Sequence, residues 1–201
     1  MTRLNRRELS MMDSPARRWS QRLIEMRTFL RLLARAGIDL RGKAVLDAGC
    51  GNGYGLELIE HALRPSRLVG FDLMPEQIER ARVRGLAASV SVGDITAIAE
   101  PDASFDGVFV FGILHHVPQW RTGLRELARV LRPGGVLLVE ELHGGYIRWQ
   151  DRVLGTDHPR DARFDWIEFR SGLAAAGLSI AAETGFVFDA MRAFAAVKTP
   201  H

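Results

Sequence analysis

Val45-Leu46-Asp47-Ala48-Gly49-Cys50-Gly51-Asn52-Gly53-Tyr54-Gly55 is the stretch on which the fold turns. An apolar run ends in Asp47, glycines stand at 49, 51 and 53, and a run with helical spacing follows. Glycine has no Cβ, so such a loop can turn sharply and lie against a ligand. A buried strand feeding a loop that opens a helix predicts a ligand-binding corner at the carboxyl end of a parallel sheet.

Working outward, strands and helices alternate. KAVLDAG (43–49) reads as the first strand, followed by a helix over 54–63. RLVGFD (67–72) and ASVSVGD (88–94) read as the second and third strands, with PEQIERARVR between them as a helix that has Pro75 in its first turn. FDGVFVFG (105–112) is a fourth strand, 120–131 a helix, Pro133-Gly134-Gly135 a turn and VLLVEE (136–141) a fifth strand. A helix over 166–176 ends at Gly177, and LSIAAETGFVF and MRAFAAVK form two last strands joined tightly enough to be antiparallel. The pattern predicts an α/β protein: a seven-stranded, mostly parallel sheet with an antiparallel last strand and helices on both faces.

Two segments lie outside the alternation. Residues 15–36 read as an amphipathic helix with Ser14 as N-cap, Pro15 at its first position and an apolar stripe of Trp19, Leu23, Met26, Leu30 and Leu33. Arg27, Arg31 and Arg35 share another face, and Gly37 ends the helix. Residues 142–162 break the repeat with four residues that favour turns, Gly144, Gly145, Gly155 and Pro159, interleaved with His143, Tyr146, Trp149 and His158. A connection that long in a compact domain is usually functional. It reads as a cover over a substrate pocket, with His143, Tyr146 and Trp149 as substrate-binding residues.

The 201 residues, 47% of them apolar, suit one domain with one core. It divides into a tail and helix (1–37), a ligand-binding core (38–141), the cover (142–162), and a helix with two strands (163–201). The net charge of +3 is small and the only lysines are Lys43 and Lys198, so nothing asks for a nucleic-acid partner. Cys50 is the only cysteine, which rules out an intrachain disulfide. With no apolar signal core and no apolar run of membrane-spanning length, the chain reads as cytoplasmic, with no integral membrane association. A homodimer is compatible with all of this.

Acids end the first three predicted strands. Asp72, at the end of the second, is placed to accept hydrogen bonds from both hydroxyls of a ribose. Asp94, at the end of the third, can accept from an adenine amino group while the Ile95 N–H reads a ring nitrogen. Alternation allows only one of Glu140 and Glu141 to face the crevice, leaving the other solvated or turned to a helix.

These segments together resemble the class I S-adenosylmethionine-dependent methyltransferases, in particular the broad small-molecule group with Rossmann-like sheets. VLDAGCGNG matches that family's glycine motif, VGFD its ribose-binding strand and VGDIT its adenine turn. FDGVFVFGILHHV and LARVLRPGGVLLVEE match its fourth and fifth strands. The resemblance spans 38–141 and implies S-adenosylmethionine as cofactor and a small-molecule methyl acceptor. It implies that Gly49, Gly51 and Gly53 shape the loop around the methionine part, and that Asp47 orients the loop or meets the amino group through water. Asp72 would bind ribose, Leu73 would pack on adenine, and Asp94 and Ile95 would read its edge. Phe111 and Gly112 would offer backbone groups to the methionine part. Cys50 belongs to the cofactor loop, as packing rather than as nucleophile. His115 and His116 are the candidate catalytic residues, for binding substrate or taking its proton.

The departures narrow the chemistry. The fourth strand lacks an Asn-Pro-Pro-Tyr ending, and no Pro-Cys nucleophile appears. Gly112-Ile113-Leu114 stands where catechol-type enzymes carry metal-binding carboxylates, so no metal is expected. Two other readings stay open: a nicotinamide-dependent oxidoreductase, although Tyr54 stands where its third glycine belongs, and a non-catalytic S-adenosylmethionine-binding regulator.

Overall fold

The structure, a computed structural model, describes residues 24–199. Its elements in chain order are α1 (Met26–Ala36), β1 (Ala44–Ala48), α2 (Tyr54–Leu63), β2 (Arg67–Asp72), α3 (Pro75–Val83), β3 (Ser89–Val92) and β4 (Phe105–Phe111). Then come α4 (Trp120–Val130), β5 (Leu131–Leu142), α5 (Gly144–Leu154), α6 (Trp166–Ala175), β6 (Leu178–Phe186) and β7 (Met191–Lys198). The sheet order is β3-β2-β1-β4-β5-β7-β6. β7 runs antiparallel to both β5 and β6, and the pairs β3-β2, β2-β1, β1-β4 and β4-β5 are parallel. This is the predicted sheet, with β7 inserted one place in from the edge.

Alternation along the strands sorts two apolar layers. Leu46, Val108, Val110, Leu137, Val139 and Phe194 face α4 and α6, where Trp120, Leu124, Phe169 and Leu173 complete one cluster. Val45, Phe109, Phe111, Leu138 and Ala195 face α1, α2 and α3, where Phe29, Leu32, Leu56, Ile59 and Ile78 complete the other. Each such fully buried side chain contributes about 1.5–3 kcal/mol relative to exposure. With helices on both faces of such an open α/β sheet, ligands bind in the crevice at the carboxyl ends of the strands.

Three expectations change in detail. Of the N-terminal helix, only α1 lies within the described residues, and Ser14, Pro15, Trp19 and Leu23 fall outside them. Within α1 the buried stripe centres on Phe29, Leu32 and Leu33, while Leu30 is only half-buried. Phe29 wins because its ring fits against Phe109 and Phe111, at 5.7 and 5.2 Å between centroids. Arg27, Arg31 and Arg35 are exposed, as expected. Second, the Pro133-Gly134-Gly135 turn is a bulge within β5 rather than a break before it. The ladder with β4 jumps from the Phe105–Leu131 pair to the Gly107–Val136 pair, and Gly134 takes φ 76°.

Third, 142–162 is not an open, glycine-bent connection. Gly144 and Gly145 begin α5, with the His143 side chain accepting from the Gly145 N–H, and Gly155 caps the other end in the left-handed conformation. Gly144 serves close packing instead of bending: a Cβ there would stand 2.9 Å from the Phe164 carbonyl oxygen.

Phe29 packs its ring on two aromatic residues of β4. Phe29→Ala is expected to lower the unfolding free energy by about 3–5 kcal/mol, read from the midpoint and slope of urea denaturation. A loss below about 1 kcal/mol would mean that α1 docks by other contacts.

Candidate functional site

The glycine loop is held to the end of β2 by its own backbone. The N–H groups of Gly49 and Cys50 both donate to the Phe71 carbonyl, at 2.8 and 2.9 Å. Asp72, 8% exposed, accepts from the Gly51 N–H at 3.0 Å and from the Met74 N–H at 2.9 Å. It therefore ties the loop and the residue before α3 with the same carboxylate. Gly49 and Gly53 both sit at φ 81°. A Cβ on Gly49 would fall 2.4 Å from Ile113 Cδ1, so only glycine lets the loop touch the residues after β4. Arg84, which the sequence reading passed over, closes the far side by donating to the Asn52 carbonyl at 2.6 Å and pairing with Glu57. The Cys50 side chain is buried close over Gly70, and burial pushes its thiol pKa up, which fits packing and not nucleophilic use.

Asp47 stands apart. It is fully buried, and neither carboxylate oxygen has a hydrogen-bond partner among the described residues. Burial, then the neighbouring Asp72 charge, pushes its pKa up to about 8. The expected bond tying Asp47 to the loop is not formed. An orphaned buried carboxylate is costly unless a cation or donor meets it. Together with the glycine cradle and the half-committed Asp72 carboxylate, it fits a ligand that carries an ammonium and a ribose, as S-adenosylmethionine does.

Leu73 is half-buried, and Asp94 lies in the turn two residues past β3, where Oδ1 accepts from the N–H and Oγ1 of Thr96 at 2.8 Å each. Ile95 is buried against the α4 side of the sheet. Phe111 packs on Phe29, and the Gly112 N–H donates to the Glu140 carbonyl at 3.0 Å. Asp72 and Ile113 thus both meet the glycine loop.

Beside them a second polar centre forms. Glu140 and Glu141 are both buried, at 2% and 0% exposure, so neither is the solvated acid. Glu141 points to the α4 side, accepts from the Leu114 N–H at 2.7 Å and bonds His115 Nδ1 at 2.7 Å. Burial pushes Glu141 up to about 8 against the backbone bonds that lower it. His115 and His116 occupy a 3₁₀ turn (Leu114–His116), and their rings lie 4.2 Å apart. His158 reaches the same place from beyond α5, 4.7 Å from the His116 ring, with its Nδ1 held by Asp151 at 2.5 Å. Burial, then the neighbouring His115 and His158, drives the His116 pKa well below the ordinary histidine value, so this ring is neutral. In the sequence His158 is only one of the residues interleaved through 142–162. Its approach to His115 and His116 depends on the turn of chain after α5, which no local pattern announces.

The proposed substrate residues are less concentrated. Tyr146 and Trp149 stack on each other at 5.6 Å, with Trp149 52% exposed. His143 caps α5 and packs against Trp166. The structure brings Tyr146 and Trp149 together on α5 and gives His143 a structural task.

Asp47 makes the ligand-free protein sensitive to pH. Its folded pKa lies above the unfolded carboxylate value, so its contribution is complete at low pH and is lost as pH rises toward about 8. Wild type is expected to lose denaturation midpoint over that window relative to Asp47→Asn, which should be the more stable at pH 8. Parallel pH profiles for the two proteins would mean that Asp47 is solvated.

Comparison with known proteins agrees with this geometry. A family model described as a methyltransferase domain matches residues 46–139. A fatty-acid O-methyltransferase of Mycolicibacterium smegmatis is 31% identical over 159 residues, covering 78% of this chain and 52% of the relative. A ubiquinone biosynthesis O-methyltransferase of Xanthomonas oryzae is 36% identical over 130 residues, covering 61% and 53%. The chain thus spans about half the length of these curated relatives. A solved S-adenosylmethionine-dependent methyltransferase from Aquifex aeolicus superposes with a TM-score of 0.74 at 19% identity, covering 98% of this chain and 100% of that one. No described helix is long and apolar enough to cross a membrane. By its motifs, its strand order and these relatives, the chain belongs to the class I methyltransferase family, whose cofactor is S-adenosylmethionine.

Proposed function

We propose that this chain transfers a methyl group from S-adenosylmethionine to a hydroxyl oxygen of a small-molecule acceptor. His115 takes the acceptor's proton and Glu141 holds His115 in place. The observation that carries this reading is the buried Glu141–His115 pair, 2.7 Å apart, on residues that leave β4 against the glycine loop. The relatives named above are both O-methyltransferases, which favours oxygen among the possible acceptors.

When bound, the cofactor supplies a methyl carbon made electrophilic by its sulfonium. Asp47 receives the cofactor's ammonium and becomes ionised in doing so. Asp72 accepts from the ribose hydroxyls with the lone pairs that Gly51 and Met74 leave. Leu73 covers one adenine face, while Asp94 and the Ile95 N–H read its edge. Glu141, lying behind His115, in its ionised form would accept from Nδ1 and so leave Nε2 as the nitrogen that takes the acceptor's proton. The acceptor oxygen would bond to the methyl carbon as its O–H bond breaks toward His115 and the methyl–sulfur bond breaks, leaving S-adenosylhomocysteine. Tyr146 and Trp149 on α5 form one wall of the acceptor pocket, and 142–162 as a whole shields it from water.

A general base matters most for a hydroxyl and little for an amine or thiolate. His115→Gln and Glu141→Gln are each expected to lower kcat on a hydroxyl acceptor by ~10²–10⁴-fold, while the dissociation constant for S-adenosylhomocysteine stays within about twofold. The assay is S-adenosylhomocysteine release across a panel of phenols, carboxylic acids, amines and thiols. Turnover of a hydroxyl acceptor that is indifferent to His115→Gln would remove the base, and turnover confined to amines would remove the hydroxyl.

A further inference from the structure

We infer that His115, His116 and His158 form a binding site for one divalent transition-metal ion of the zinc class. One ring nitrogen from each of the three residues lies within 4.8 Å of the others. The ring centroids are 4.2, 4.7 and 5.5 Å apart, so three imidazoles crowd one point where apolar residues would pack with less cost. His115 and His158 are buried and His116 is half-buried, which leaves the cluster one side toward solvent.

The surroundings are those of a ligand set. Glu141 bonds His115 Nδ1 at 2.7 Å, and Asp151 bonds His158 Nδ1 at 2.5 Å. A carboxylate behind an imidazole fixes its tautomer and orientation and raises its basicity, the usual support of a metal-bound histidine. Here two of three rings have it, and in both the ligand atom becomes Nε2. Asp151 is itself fixed by Thr156 and by Arg163 at 2.9 Å, so His158 is held by a braced acid and not by a mobile one. Zinc–nitrogen bonds of about 2.0–2.1 Å in tetrahedral geometry place ligand nitrogens roughly 3.4 Å apart. Closing from the present spacing takes about 1 Å of side-chain movement. Three neutral imidazoles suit zinc, copper or nickel and not magnesium or calcium, which prefer oxygen.

Three protein ligands leave the fourth position open. The His115 ring itself lies beside Gly112, where a Cβ would stand 3.8 Å from Cε1, at the end of β4. An ion uses the same His115 nitrogen that proton transfer uses, so the two are alternatives at one atom. A bound ion would supply Lewis acidity to an acceptor oxygen there, whose proton would leave to water. The ion also joins the turn after β4 to the segment after α5, fastening 142–162 over the site. Metal binding itself does not depend on the methyltransferase reading.

The test uses untagged full chain, treated with chelator and desalted, and titrated with Zn²⁺ by calorimetry and with Co²⁺ by visible absorption. One ion per chain is expected at micromolar affinity or better, with Co²⁺ showing the intense band of a four-coordinate site. His116→Ala and His158→Ala should each weaken Zn²⁺ binding at least 100-fold and Asp151→Asn about 10–100-fold. His61→Ala, on α2, should change nothing, and millimolar Mg²⁺ should not compete. The half-buried His116 gives the decisive reading if His158→Ala does not fold. Absence of saturable Zn²⁺ binding, or binding that survives His116→Ala, overturns the site. S-adenosylhomocysteine binding, measured on the same chelator-treated protein, reports separately on the cofactor site.

Discussion

The open end of the sheet is organised around the burial of Asp47 without a hydrogen-bond partner among the described residues. Leaving a carboxylate orphaned in an apolar layer costs several kcal/mol or forces it to take a proton. Its pKa near 8 is that second outcome. The surrounding structure removes every easy partner: the N–H groups of Gly49 and Cys50 go to Phe71, and that of Gly51 goes to Asp72. The loop is thus complete in itself and presents Asp47 to whatever arrives. A folded chain carries such a cost when a ligand relieves it, and a cationic ammonium relieves it best.

The second centre works by the opposite logic. Glu141 and Asp151 are each bonded by an imidazole and by a further donor. Two acids on different elements thus hold two histidines toward a third. The pair at Glu141 belongs to β5 and the turn after β4, the rigid part of the molecule. The pair at Asp151 belongs to α5 and the turn that follows it. The histidine cluster is therefore where the turn after β4 meets the segment after α5.

Much of this was legible in the residues. β2 and β7 fall where the apolar runs placed them, and α2 spans the residues that its glycine loop and helical spacing indicated. Buried parallel strands are short continuous apolar runs, and glycine loops mark their ends, so both signals are local. α5 was not legible because only Gly144 and Ile147 are buried along it, which leaves no apolar stripe, and two leading glycines argue against a helix. Its ends are set by the His143 cap and by Gly155, features that carry little weight in sequence. The histidine cluster was half legible. His115-His116 stood out, but the 42-residue separation of His158 from His116 is closed only by tertiary packing, and the acids behind the rings come from two further elements.

The central claim is that the glycine loop, Asp47 and Asp72 form a site for S-adenosylmethionine and not for a nicotinamide dinucleotide. Calorimetric titration of the untagged chain with S-adenosylhomocysteine and, separately, with NAD tests it most directly. The account predicts one S-adenosylhomocysteine per chain with micromolar affinity, a proton released on binding at pH 7 as Asp47 ionises, and no heat from NAD. Binding of NAD without binding of S-adenosylhomocysteine would contradict it.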